Sequence, residues 1–149
     1  MHRTARSWRL LAALLALPLF GCAAQTVRAA DDGIGPAMVI ERFLRAANSN
    51  DLDTMADLFG TRDGPIADQG SRQQVDDRMF VLASLLRHSD YRIESEEIVP
   101  GRRDVATQLN VALTINQDRV VVPFTLVRSK RGPWLIEIIE VQRITQRRS

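Results

Sequence analysis

Val105-Ala106-Thr107-Gln108-Leu109-Asn110-Val111-Ala112-Leu113-Thr114-Ile115 is the stretch that decides the fold. Val105, Leu109, Val111, Leu113 and Ile115 share one parity, whereas Gln108, Asn110, Thr114 and Asn116 hold the other. That period of two marks a strand with one buried face. Downstream, Gln117-Asp118 is expected to turn the chain, Val120 to Arg128 forms the next strand, and Lys130 to Pro133 closes a further hairpin. Trp134 to Ile144 reads as the last strand, with a parity change near Ile138 that implies a bulge. Pro123 removes a ladder donor, so an edge position or a bulge is expected there. Upstream, Tyr91 to Val99 supplies the first strand and Pro100-Gly101 the turn after it.

Before His88 the period is helical. Pro36 suits a first helical position, and Ile40, Phe43, Leu44 and Ala47 follow on one face. Asn48-Ser49-Asn50 breaks that helix, and Asp51 caps a short second one carrying Leu52, Met55, Ala56 and Phe59. Residues 61–70 read as a polar loop. Ser71-Arg72-Gln73-Gln74 then opens a third helix with the stripe Val75, Met79, Leu82, Ala83 and Leu86.

Three helices followed by a four-stranded antiparallel meander predict an α+β layer, with the helices packed on one face of a curved sheet. This order, with an amphipathic first helix, a short second helix ending in Leu58-Phe59 and a last strand opened by Gly132-Pro133-Trp134, resembles the nuclear transport factor 2-like superfamily over residues 36–146. The resemblance implies a cone-like sheet whose open end can hold a small apolar ligand, in a family that includes small bacterial lipoproteins. It also implies enzymes of the isomerase or dehydratase type, which use a carboxylate or His base at the cavity wall.

The chain starts with Arg3, Arg6 and Arg9, runs into the apolar stretch Leu10 to Phe20, and ends it at Leu19-Phe20-Gly21-Cys22. Such a stretch is too short for a bilayer-spanning helix, which needs about 20 residues. It resembles a bacterial lipoprotein signal over residues 1–21, cleaved between Gly21 and Cys22, with Cys22 taking the lipid. Phe20 is bulkier than usual there, and an ordinary signal cut after Ala23 or Ala24 is the alternative. Residues 22–35 read as a flexible tether, 36–146 as the folded domain and 147–149 as a basic tail. The expected location is the cell envelope, on the periplasmic face of the outer membrane where the host has two membranes.

The formal charge of +2, from 20 basic and 18 acidic residues, belongs to the signal: without Arg3, Arg6 and Arg9 the 17 remaining cations face 18 acids, a balance of −1. This gives no electrostatic footprint for nucleic acid. No pair of His or Cys stands at metal-ligand spacing and no glycine-rich phosphate loop is present, so neither a metal nor a cofactor is expected.

Two groups carry the little catalytic chemistry on offer. His88-Ser89-Asp90-Tyr91 contains a base, a hydroxyl and a carboxylate, but chain neighbours at a helix-to-strand junction serve better as caps. The acids Asp57, Asp63 and Asp68, with Arg62, sit where the expected loop overhangs the cone mouth. His88 and Asp63 are therefore the catalytic candidates, and no catalytic residue is assigned. Trp134 is the candidate ligand-binding aromatic. Gln108, Asn110, Thr114 and Thr125 give the second sheet face a mixed character that suits a homodimer. The reading is a membrane-tethered, non-enzymatic module for a small apolar ligand or an envelope protein, with a small cavity enzyme as the alternative.

Overall fold

The computed structural model describes residues 34–146. The signal segment, Cys22, all but the last two residues of the tether, and the basic tail lie outside the described residues.

Pro36 opens α1 (Pro36–Ser49), and Asn50 ends it in the left-handed conformation, its N–H donating to the Ala46 and Ala47 carbonyls. Asp51 caps α2 (Leu52–Leu58) by accepting the Thr54 N–H at 3.1 Å. The polar run 61–70 is not a plain loop. Gly60–Thr61 (β1) and Gly64–Pro65 (β2) pair as a small hairpin, and Ile66–Asp68 adds one 3₁₀ turn. Gly60 permits this pairing because a Cβ there would collide with the Gly64 carbonyl oxygen and lie 2.8 Å from the Pro65 Cα. α3 (Arg72–Leu86) follows, its first turn capped by the Ser71 hydroxyl.

The strands β3 (Asp90–Ile98), β4 (Ala106–Ile115), β5 (Asp118–Arg128) and β6 (Trp134–Ile139) form an antiparallel meander in that order. The β4–β5 turn is made by Asn116 and Gln117, both at positive φ, one residue earlier than the sequence suggests. Pro123 is not at an edge: β5 lies between β4 and β6. Its missing N–H is harmless because that side of Pro123 faces the place where β6 leaves the ladder, and there its carbonyl takes the Glu140 N–H at 3.0 Å. The last strand is also shorter than expected. It stops at Ile139, and the chain turns into a single helical turn, α4 (Gln142–Thr145), that seats Ile144 in the core.

Two bulges bend the outer strands. Glu94 is the extra residue of β3, between Ile93↔Val111 and Ser95↔Asn110. Glu137 is the extra residue of β6, between Leu126↔Ile136 and Thr125↔Ile138. The second bulge is the one implied by the parity change near Ile138.

One core joins the helices to the alternate residues of the sheet. Phe43 and Leu44 of α1, Met55 of α2, Met79 and Leu86 of α3, and Leu109, Leu113, Phe124 and Leu126 are fully buried in it. Ile34, two residues ahead of α1, already packs against this core.

Candidate functional site

β6 is an edge strand, and its edge is covered in the first half only. Phe59 bridges to Ile136 in parallel fashion, and β1 lies alongside. Past Ile136 the bulge at Glu137 carries Ile139 back to the inner face and throws Ile138 outward. α3 does not close over this second half. Between them runs a groove of about 560 Å³, walled by Arg78, Val81, Leu82 and Leu85 on one side and by Glu137 to Ile139 with Val141 on the other, with Phe59 at its base. Such a volume falls in the range of small-molecule sites.

The groove is apolar at its rim as well as its floor. Val81 is 56% exposed and Ile138 is 50% exposed. On α3 the buried stripe is Val75, Met79, Ala83 and Leu86. Leu82 packs against the core beside that stripe, but Leu85 and Val81 do not, so the helix carries more apolar width than its own packing uses. Its charges are unevenly matched. Glu137 is gripped by Arg102 through two hydrogen bonds of 2.7 and 3.1 Å. This carboxylate holds the Arg102 proton more tightly than usual, against the opposing effect of partial burial. The Arg78 guanidinium instead lies 4.9 Å above the Phe59 ring. Phe59 is itself fixed by Phe43, centroid to centroid 6.3 Å.

His88 and Asp63 are not brought together, and neither lines the groove. His88 sits between α3 and β3 as part of a clamp. Asn48 of α1 accepts the His88 N–H at 3.2 Å and donates to its carbonyl at 3.0 Å. Nδ1 of the ring lies 2.8 Å from the Leu86 carbonyl, so Nδ1 carries the proton and Nε2 faces the Asn48 amide at 3.4 Å. Tyr91 meets the ring edge-on at 5.8 Å, and burial raises the Tyr91 pKa. Both imidazole nitrogens are thus committed to structure.

Asp63 stands at the tip of the β1–β2 hairpin. Lys130 donates to it at 2.6 Å and lowers its pKa, and the Lys130 N–H holds the Arg62 carbonyl at 2.8 Å. Arg131 reaches Asp68 at 3.4 Å. These contacts fasten the hairpin to the β5–β6 turn. Asp57 lines a separate hollow of about 240 Å³ with Asp53, Asp76 and Arg72. Arg72 occupies the place a cation would take there, 2.6 Å from Asp53 and 3.4 Å from Asp76. Among the described residues no group of three or more His, Cys, Asp or Glu side chains is arranged to hold a metal ion. Trp134 packs against the core from the start of β6 and is not among the groove residues.

The sequence marks Ile138 only as the place of a bulge, and no motif in it points to Arg78, Leu85 or Glu137. The nearest signals are the apolar residues of α3 beyond its stripe and the doublet Ile138-Ile139, which breaks the alternation.

No protein-family model and no curated protein matches this chain. Among the solved structures that resemble it are two that share its length over most of the chain. One is a nuclear transport factor 2-like protein of unknown function from Cytophaga hutchinsonii, with 12% identity and a TM-score of 0.41, covering 75% of this chain and 96% of that one. The other is a phospholipid-binding protein from Ralstonia solanacearum in complex with a phospholipid, with 12% identity and a TM-score of 0.40, covering 74% of this chain and 81% of that one.

Proposed function

We propose that this protein is a lipid-anchored protein of the cell envelope whose folded domain is a non-enzymatic module binding a small apolar ligand in the groove between α3 and β6. The observation that carries the binding role is the groove itself: Val81, Leu82 and Leu85 face Ile138, Ile139 and Val141 across an open space. Covering exposed apolar surface yields roughly 25 cal/mol per Å², so a ligand buried there gains several kcal/mol before its ordering cost. The anchoring role rests on Leu19-Phe20-Gly21-Cys22, with Ala23 after the cysteine pointing to the outer membrane in a two-membrane host.

Each half has its own test. The native protein should begin at Cys22 and carry acyl mass, and Cys22→Ala should be unprocessed or soluble; a mature form starting after Ala24 without acyl mass would refute the anchor. A neutral naphthylamine dye should brighten on binding the domain, and Ile138→Asp, at an exposed position, should abolish the signal without lowering stability. Equal brightening by wild type and Ile138→Asp would refute the groove.

A further inference from the structure

Arg78 differs from the other charged residues around the groove in having nothing opposite it. At the helical neighbours where an acid would pair with it stand Gln74, Val75, Val81 and Leu82. Glu137, the only carboxylate in the groove wall, already has both oxygens occupied by Arg102. Among the described residues Arg78 forms no ion pair, and its one marked contact is the face of Phe59. That contact holds the guanidinium over the ring, and none of its N–H groups is taken by a hydrogen bond or ion pair among the described residues. Holding it there costs the side chain part of its rotamer freedom in advance, so a ligand does not have to.

We infer that the occupant of the groove is a free amphiphile with one anionic head and a single apolar tail, the head paired with Arg78 and the tail lying along Val81, Leu82 and Leu85 against Ile138 and Ile139. This rests on the groove being the binding site. The helix rises 1.5 Å per residue, so Arg78 to Leu85 spans about 10 Å, the length of an extended chain of roughly eight carbons. A medium-chain alkyl carboxylate matches that length with its charge at one end. A cationic amphiphile meets an unmatched like charge instead. A neutral one leaves the guanidinium unpaired but still fills the apolar walls.

Decanoate, decanol and decyltrimethylammonium, each below its micelle or solubility limit, distinguish these cases by titration calorimetry on the chain from residue 22 onward, kept free of acyl groups by Cys22→Ser. Decanoate should bind tightest. Arg78→Met, a change at an exposed position, should weaken decanoate about 10-fold or more, the scale of one charge-assisted hydrogen bond, and leave decanol within about 2-fold. Arg78→Lys, which keeps the charge but loses the planar guanidinium, should fall between them. Decanoate and decanol binding equally, with Arg78→Met changing neither, overturns the anionic head and leaves the apolar groove standing. Failure of both to bind overturns the groove and this inference together. Arg78-dependent sedimentation with anionic phospholipid vesicles, without decanoate binding, also overturns it by making a membrane lipid the partner.

Discussion

Replacing Asn48 with Ala should cost more stability than replacing His88, although His88 has the more conspicuous chemistry. The Asn48 amide makes two hydrogen bonds to the His88 main chain, at 3.2 and 3.0 Å, and these tie the end of α1 to the exit of α3. Each is worth about 0.5–1.5 kcal/mol net. Asn48 is exposed, so the freed groups meet water, which keeps the loss in the lower part of that range, about 1–2 kcal/mol in total. His88→Ala leaves both main-chain bonds in place. It removes the ring's bond to the Leu86 carbonyl, its long contact with the Asn48 amide and its edge contact with Tyr91, together about 1 kcal/mol with each at the low end of its range at a half-exposed site. Urea unfolding followed by tryptophan fluorescence measures both, and for a domain of this size each kcal/mol lowers the Tm by roughly 4 °C. A His88→Ala loss equal to or above that of Asn48→Ala would show that the imidazole, and not the main-chain clamp, holds the junction.

Leu109→Ala, at a fully buried position facing the helices, should cost about 2–5 kcal/mol with an unchanged denaturant slope; a loss below about 1 kcal/mol contradicts its place in the core. Gly60→Ala sets a methyl group against the Gly64–Pro65 backbone and should cost about 1–3 kcal/mol, with the β1–β2 hairpin opening first in hydrogen exchange. Tyr91 is the only tyrosine, so alkaline absorbance titration reads it alone. Burial raises its pKa above the ordinary 10.0, so its stabilising contribution is complete below pH 10 and is lost as pH rises through the folded value; ionisation at or below 10.0 contradicts its packing.

The helices and the meander were legible because their periods are long and unambiguous. Leu109, Val111 and Leu113 alternate over enough residues to leave one interpretation, and Ser71 and Asp51 cap the helices they precede. The β1–β2 hairpin was not legible, since two-residue strands carry no period and their pairing depends on tertiary ties from Lys130 and Arg131. Nor was the central position of Pro123, which is allowed only because β6 ends early. His88 and Asp63 drew notice for their side-chain chemistry, yet their partners, Asn48 and Lys130, lie 40 and 67 residues away in sequence. Arg78 lies on an ordinary exposed helical position, and only the distance to Phe59 and the absence of a facing acid single it out.

The two borders of the meander are finished differently. β3 carries Arg92, Glu94, Glu96 and Glu97 outward, and its bulge sets Glu94 against Arg119 of β5. β6 is capped by Phe59 and β1, then abandoned for α4. Neither border offers a long flat row of unpaired amides to another molecule. Chains anchored through Cys22 would be confined to a plane, where neighbours meet far more often than in free solution. With the anchor proposed for Cys22, the acidic, kinked border and the short blocked one would disfavour edge-to-edge pairing of neighbouring sheets.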